Sequence, residues 1–259
     1  MGTIVLDGVT KTYPASGKST SDITAVNKVS FTINDHEIVC LVGPSGCGKS
    51  TILNLIAGFE SPSSGRITVS EAQVHGAGPD RMVVFQSPAL FGWMTVYENI
   101  VFGPQKRGIP KRQYESDANR YIDAVGLREF ASHYPYQLSG GMRQRVQISR
   151  ALVNRPEVLL MDEPFGALDF QTRLLMQELL LKVWGEFQPT ILFITHDVDE
   201  ALFLGDRVYA MSRRPGRLKE QFNVPFSKPR SMEILTDPRF VSLKERVLHS
   251  IREELTEAA

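Results

Sequence analysis

The nine residues GPSGCGKST, Gly43 to Thr51, contain the GxxxxGK[ST] pattern of a phosphate-binding loop. The apolar run Glu37 to Val42 (EIVCLV) precedes them and the helix-like run Ser50 to Ala57 (STILNLIA) follows, so the order is strand, glycine-rich loop, helix. Glycines let successive backbone N–H groups turn inward around an anion, and the helix N-terminus adds partial positive charge. We therefore expect phosphate groups to bind here; an ordinary glycine and serine turn is the plain alternative.

Two polar side chains of this loop have specific tasks in that interpretation. Lys49 can reach the β- and γ-phosphates, and the Ser50 hydroxyl can ligate the accompanying Mg²⁺. The two cysteines of the chain, Cys40 and Cys47, flank the first glycine of the loop, which suggests neither a disulfide framework nor a metal site. Reduced thiols fit a cytosolic protein.

The bulk composition is that of a globular protein without a charge bias. Of 259 residues, 42% are hydrophobic and 22% are charged, and the net charge is zero. This balance provides no overall field that would attract nucleic acid or anionic lipid. No apolar run approaches the roughly 18 residues that cross a bilayer, and the first residues lack a signal core. We therefore expect a cytoplasmic chain that does not bind nucleic acid.

Hydrophobic periodicity predicts an α/β fold in which helices interrupt a parallel sheet. The predicted strands are Thr3 to Thr12, Ala25 to Ile33, Glu37 to Val42, Arg66 to Val69, Arg81 to Phe85, Val158 to Met161, Thr190 to Thr195 and Arg207 to Met211. The predicted helices include Tyr114 to Val125, Gln171 to Phe187 and Pro238 to Leu255. Between strands, Ala15 to Asp22 is expected to be a surface loop, and Ser87 to Leu152 a helical insert.

Two acids end a buried strand in the stretch VLLMDEP, Val158 to Pro164. The carboxyl edge of a parallel sheet is where ligands bind in such folds. Asp162 is therefore expected to hold the Mg²⁺ shell, and Glu163 to polarise the water that attacks the γ-phosphate. The alternative is a pair of solvated acids at a strand end.

Two further side chains follow predicted strands at the same edge. His196 comes directly after TILFIT, where a neutral imidazole could bond the γ-phosphate or the attacking water. Gln86 ends RMVVF and offers an uncharged oxygen to Mg²⁺ or water. Taken alone, each residue is uninformative, and a histidine satisfied within the core is the ordinary alternative.

The stretch LSGGMRQRVQISRAL, Leu138 to Leu152, predicts a second anion-binding helix N-terminus. Ser139, Gly140 and Gly141 open a helix that is expected to start around Met142. One nucleotide does not need two such cradles from one chain. A pair of chains, each closing over the other's γ-phosphate, would use both; a glycine-started helix with an exposed arginine-rich face is the alternative.

These motifs, in this order and spacing, resemble the ABC (ATP-binding cassette) ATPases from Ile4 to about Phe226. The resemblance implies a RecA-like P-loop core with an antiparallel β subdomain and an inserted α-helical subdomain. It implies ATP and Mg²⁺ as cofactors, with Glu163 as catalytic base, His196 as γ-phosphate switch, and Lys49 and Gln86 in the catalytic group. The implied Mg²⁺ ligands are Ser50, Gln86 and Asp162.

The resemblance also assigns the nucleotide contacts. Tyr13 would stack on the adenine, and Asp169, in the Gly166 to Asp169 loop, would lie at the interface between two cassettes. The implied contacts are Tyr13, Gly43, Pro44, Ser45, Gly46, Cys47, Gly48, Lys49, Ser50 and Thr51 in one chain, with Ser139, Gly140, Gly141, Met142 and Asp169 acting across the dimer.

A subgroup within the family is indicated by GPDRMVVFQ, Gly78 to Gln86, and by Trp93 beyond it. These residues are similar to the importer ATPases for nitrate, sulfonates and taurine, although relatives usually have proline where Gly92 stands. Trp93 would receive the membrane subunit near Gln86; a core aromatic of the helical insert is the alternative. Bicarbonate-like solutes belong to the same expected range.

The resemblance implies one ABC ATPase domain over residues 1–259. Residues 1–86 and 153–226 would form the core and β subdomain, 87–152 the helical subdomain, and 227–259 a short helical extension. We expect an ATPase subunit at the cytoplasmic face of the membrane, paired with an identical or homologous ATPase. Permease subunits would contact it directly and a solute-binding protein indirectly. An exporter ATPase and a soluble interaction switch are the rival functions.

Overall fold

The computed structural model describes residues 2–15, 21–166 and 168–256. Residues 16–20 of the predicted surface loop lie outside this range, as does Ala167 in the Gly166 to Asp169 loop. Among the described helices, none combines the length and apolar character needed to span a bilayer.

An antiparallel sheet carries the N-terminal part of the chain. Its strands are β1 (Ile4–Tyr13), β2 (Ile23–Ile33), β4 (Ser64–Val69) and β5 (Ala72–Gln73), in the order β2-β1-β4-β5. Alternate residues of β1, such as Ile4 and Leu6, are buried, as the period of two predicts. The two-residue strand β5 was not predicted, because it is too short to show a period.

The larger sheet places the phosphate loop in its centre. Its strands are β3 (Ile38–Val42), β6 (Arg81–Val84), β7 (Val158–Asp162), β8 (Thr190–Ile194), β9 (Arg207–Met211) and β10 (Leu218–Asn223). The order is β10-β9-β3-β8-β7-β6, parallel throughout except for the edge strand β10. The carboxyl ends of the five parallel strands among the described residues therefore share one edge.

Helices connect these strands and cover the sheet. They are α1 (Lys49–Ala57), α5 (Phe170–Phe187), α6 (Val198–Leu204) and α7 (Pro238–Thr256). The side chains of Leu255 and Thr256, at the end of α7, are not described. The short α6 was not predicted, because seven residues hold only two helical turns.

Three α-helices of the described chain lie between β6 and β7: α2 (Val96–Lys106), α3 (Lys111–Ala124) and α4 (Gly140–Leu152). Two short 3₁₀ helices, Arg128–Phe130 and Pro135–Gln137, precede α4. The prediction that α4 starts around Met142 is wrong by two residues, because Ser139 caps the helix and Gly140 already belongs to it. The predicted strand Arg81 to Phe85 ends at Val84.

The central strand β3 supplies both halves of the hydrophobic core. Ile38, Cys40 and Val42 pack into one buried cluster, while Val39 and Leu41 pack into the other, against α1 and the antiparallel sheet. Every residue of β3 is fully buried. A continuous apolar run is what a strand covered on both faces requires, and it fixes the start of the phosphate loop within the core.

Candidate nucleotide-binding site

The phosphate loop turns directly from β3 into α1, as predicted. Gly48 occupies the position before α1 with φ 99°, and no side chain caps the helix. A Cβ added to Gly48 would lie 2.5 Å from Cγ1 of Val26. Both the backbone angle and the packing therefore require glycine there. The first N–H groups of α1 have no intrahelical acceptors, so they are available to an anion.

Lys49 places its ammonium group within the curve of the loop. Its Nζ donates to the carbonyl oxygens of Gly43 at 2.9 Å and Pro44 at 3.1 Å. The Cys47 Sγ lies 3.8 Å from the same nitrogen. The side chain is buried, so its charge is concentrated at the loop rather than dispersed in solvent.

Asp162 ends β7 beside the phosphate loop. Burial raises the pKa of its carboxyl, the Ser50 hydroxyl opposes this by hydrogen bonding, and the negative charge of Glu163 adds to the increase. The hydrogen bond between Ser50 and Asp162 joins the phosphate loop to the acidic end of β7. A cation beside Asp162 would offset the cost of burying its charge.

Glu163 lies at the centre of a polar cluster formed by three neighbouring strand ends. Its Oε2 is 3.2 Å from Nδ1 of His196 and 3.4 Å from Nε2 of Gln86. The parallel registers of β6, β7 and β8 bring these residues together, because each follows its strand at the same edge. The Glu163 backbone has φ 44°, and its N–H donates to the Ile194 carbonyl at 2.9 Å. The sequence-based expectation that these three residues share one edge is confirmed.

Two cavities adjoin the loop. The first has a volume of about 470 Å³, and Tyr13, Lys49, Thr51, Glu163 and Arg214 are among the residues that line it. The second, of about 790 Å³, is lined by Gly43, Pro44, Ser45, Gly46, His196, Arg213 and Arg214. All nine predicted phosphate-loop residues except Cys47 line one or both cavities; Cys47 is buried beneath the loop.

Tyr13 ends β1 at the wall of the first cavity. Burial raises the pKa of its hydroxyl, which hydrogen-bonds Glu60 and Thr51. The ammonium of Lys11 lies 5.0 Å from the centre of the ring. Tyr13 is therefore tied to the residue that closes the phosphate loop, Thr51, and its aromatic ring contacts a cation.

The predicted second cradle lies elsewhere. Ser139 accepts a hydrogen bond from the Met142 N–H at 3.2 Å, and Asp169 accepts one from the Thr172 N–H at 3.0 Å to begin α5. Among the described residues that line the two cavities, neither Ser139 to Met142 nor Asp169 occurs. Within one chain, these five residues are not brought to the phosphate loop.

An aromatic surface extends beyond Gln86. Trp93 is 75% exposed and packs against Phe91, with ring centres 5.6 Å apart. The interpretation of Trp93 as a core aromatic is therefore wrong. Next to it, a groove of about 320 Å³ is lined by Met82, Val83, Ala89, Phe91, Phe102, Gly103, Gln147, Arg150, Ala151 and Asn154.

Sequence reasoning missed three polar residues around this site. Arg213 and Arg214 follow β9 and line the cavities. The sequence predicted this strand, but no functional residue was predicted after it. With its amide oriented so that both polar atoms are paired, Gln147 of α4 donates to the Phe85 carbonyl at 3.3 Å and accepts from the Phe85 N–H at 2.7 Å. The arginine pair after a parallel strand was an available signal; the Gln147 contact had none.

A phosphate loop with acids and a histidine at adjoining strand ends defines a P-loop ATPase. The profile described as ABC transporter matches residues 26–166. An uncharacterised ABC transporter ATP-binding protein of Methanocaldococcus jannaschii is 42% identical over 250 residues, covering 96% of this chain and 91% of that protein. The taurine import ATP-binding protein TauB of Jannaschia sp. is 45% identical over 233 residues, covering 88% of this chain and 87% of that protein.

A solved structure is similar as well. An ATP-binding cassette, determined as a dimer in a post-hydrolysis state with ADP and Pi, has a TM-score of 0.74 and 31% identity, covering 86% of this chain and 100% of that chain. The chain belongs to the ABC transporter family, and it is an ATPase subunit that binds ATP or ADP. The predicted fold class, a RecA-like core with an antiparallel β subdomain and a helical insert, is confirmed.

Proposed function

We propose that this ATPase powers the import of a small sulfonate or a related solute through separate membrane subunits. The observation that carries the proposal is the cluster of Gln86, Glu163 and His196 beside the phosphate loop, on a chain similar to taurine import ATPases. Taurine is the first solute to test; nitrate and bicarbonate-like anions belong to the same range.

Mg²⁺ fits the residues at the loop. Ser50, Asp162 and Gln86 offer hydroxyl, carboxylate and amide oxygens, the hard donors that Mg²⁺ prefers. The Gln86 amide directs its nitrogen toward Glu163, which leaves its oxygen for the cation shell. Bound Mg²⁺ would neutralise charge on the phosphates.

The chain's own residues account for the chemistry. Lys49 and the N–H groups of the loop hold the β- and γ-phosphates, and Glu163 orients a water and accepts its proton as the oxygen attacks the γ-phosphorus. His196 contacts both the γ-phosphate and the Glu163 carboxylate, so it reports whether the third phosphate is present. The leaving group is ADP, and the mechanism forms no covalent enzyme intermediate.

Hydrolysis requires a second cassette. Ser139 to Met142 form a capped helix start away from their own phosphate loop, and the same helix start from a partner would complete the site. Asp169 would contribute from the loop between the chains. The partner cassette is an identical or a homologous chain, and closure of the pair over two ATP molecules is the power stroke.

The membrane subunit would dock at the aromatic surface after Gln86. Trp93 and Phe91 are exposed or partly exposed there, and the adjoining groove reaches α4, the helix that begins at Ser139. Exposed aromatic side chains favour a protein partner. The ATPase would therefore lie on the cytoplasmic face of the membrane, contact the solute-binding protein only through the permease, and bind no nucleic acid.

The chain is proposed to divide into three parts, of which the helical subdomain carries the docking surface. Residues 1–86 and 153–226 would hold the nucleotide, 87–152 would rotate as the helical subdomain, and 227–259 would act as a short C-terminal extension. Rotation of the helical subdomain would carry both α4 and the docking surface. ATP binding and permease movement would be coupled in this way.

Reconstitution with the permease and the solute-binding protein that are encoded beside this gene tests the import function. We expect taurine-loaded binding protein to stimulate ATP hydrolysis and drive taurine into vesicles. An exporter would hydrolyse ATP with its permease alone, and an interaction switch would show no dependence on a permease. Either result would contradict the importer proposal without affecting the assignment of the chain as an ATPase.

A further inference from the structure

The loop 212–217 joins β9 to β10 and forms one wall of the nucleotide site. Arg214 lines both cavities that adjoin the phosphate loop, and in each of them it does so together with Ser45 and Gly46. Arg217, in the same loop, lines a separate cavity with Asn27 and Lys28. Arg214 therefore adjoins the phosphate loop in both cavities, Arg213 adjoins it in the second cavity alone, and Arg217 lines neither.

The loop is held in place by contacts on three sides. Gly216 donates to the Ala25 carbonyl at 2.8 Å and accepts from the Asn27 N–H at 2.9 Å. A Cβ on Gly216 would lie 1.9 Å from the Cys47 carbonyl oxygen, so the loop packs directly against the phosphate loop. The Arg213 N–H donates to Glu254 of α7 at 3.0 Å. These contacts keep the base of Arg214 at a fixed distance from the phosphate loop.

The charge of Arg214 is available to a ligand. Among the residues that the structure describes, its guanidinium has no carboxylate or carbonyl partner, and the side chain is exposed at the cavity. By contrast, the Lys49 ammonium is occupied by two carbonyl oxygens of its own loop. A guanidinium stays charged at all physiological pH values and matches phosphate oxygens in a two-pronged geometry.

We infer that Arg214 binds the polyphosphate of ATP within the same chain, as a second cation opposite the phosphate-loop lysine. The positive charge of Arg214 favours the phosphates over the adenosine, because ATP carries several negative charges on its phosphates and none on adenosine. The inference rests on the proposed position of the phosphates at Gly43 to Thr51. It adds a residue from the loop after β9 to a site built mainly from the phosphate loop, α1 and the ends of β6, β7 and β8.

Competition binding with a fluorescent ATP analogue tests this assignment. ATP, ADP and AMP are titrated against wild type, Arg214→Gln and Arg214→Lys at low and high salt. We expect Arg214→Gln to weaken ATP binding by about five- to tenfold, with a far smaller effect on AMP, because only a contact to the outer phosphates is lost. Arg214→Lys should be intermediate, and the difference from wild type should shrink at high salt.

Two variants make the result decisive. Arg217→Gln removes the same charge from the same loop but faces another cavity, so it should leave all three affinities unchanged. Lys49→Ala should lose ATP affinity; if it does not, the phosphates are placed wrongly and the proposed site fails. If Lys49→Ala loses affinity while Arg214→Gln binds ATP like wild type, or weakens ATP and AMP equally, only the Arg214 assignment is overturned.

Discussion

Replacing Glu163 with glutamine removes the proposed base and keeps its shape. The amide oxygen can still accept a hydrogen bond from Nδ1 of His196 or Nε2 of Gln86, which lie 3.2 and 3.4 Å from Oε2. Because His196 is 61% exposed, the lost charge in that pair contributes little to stability. An amide cannot take the proton of the attacking water. We expect turnover to fall by about 10²- to 10⁴-fold, or about 3 to 5 kcal/mol in the activation barrier.

The assay is phosphate release under single-turnover conditions, with ATP affinity measured on the same preparation. ATP binding should be retained, since the phosphate loop and Lys49 are untouched. Glu186→Gln is the matched control, because it neutralises an acid that pairs with Arg120 at 2.7 Å outside the site. Near-normal turnover by Glu163→Gln would refute the assignment, as would an equal loss of turnover in the Glu186 variant.

Three further predictions concern residues around the site. Burial raises the pKa of the Cys47 thiol, so maleimide labelling should be slow near neutral pH and accelerate as pH rises toward that pKa; bound ATP should protect, and full labelling with unchanged ATP affinity would contradict the placement of the loop. Gln147→Leu should lower kcat at least about threefold with an unchanged KM for ATP in steady-state kinetics, because Phe85, the residue before Gln86, loses its two hydrogen bonds to the Gln147 amide; an unchanged kcat, or a change in KM alone, would contradict this. Arg230→Met should lower the free energy of unfolding by about 3 kcal/mol, because buried Arg230 donates to the carbonyls of Leu202, Phe203, Gly205 and Phe226; denaturant unfolding that matches wild type would refute this.

Features encoded by neighbouring residues were predictable from the sequence. The phosphate loop depends on a strand, three glycines and a helix start within one short segment, and the structure has them in that order. Glu163 and His196 could be placed at one edge because parallel strands align their carboxyl ends, and β7 pairs with β8 through Met161 and Phe193. Local pattern and one rule of sheet topology were sufficient for these residues.

Two contacts that depend on pairing between distant segments were not predicted. Arg214 reaches the nucleotide site because β9 pairs with β3 through Ala210 and Val42, which are far apart in sequence. Gln147 meets Phe85 because α4 packs beside β6, and no sequence period indicates that contact.

The start of helix α2 was predictable from a local capping motif, but it was not predicted. Thr95 accepts from the Glu98 N–H at 3.2 Å while Glu98 accepts from the Thr95 N–H at 2.7 Å, a capping box written in the sequence as TVYE. Pro104 inside the helix obscured its extent, since proline ordinarily marks a break. Capping chemistry is therefore a better guide to such a helix than its composition.

We propose that one chain holds the nucleotide and a second chain completes the site. Specific ATPase activity, measured over a dilution series alongside the mass of the species by sedimentation, tests it most directly. Nucleotide should still bind to the dissociated chain, while turnover per chain should fall as dimers dissociate, because Ser139 to Met142 of the partner are lost. A turnover per chain that stays constant through the transition to monomer would contradict the claim.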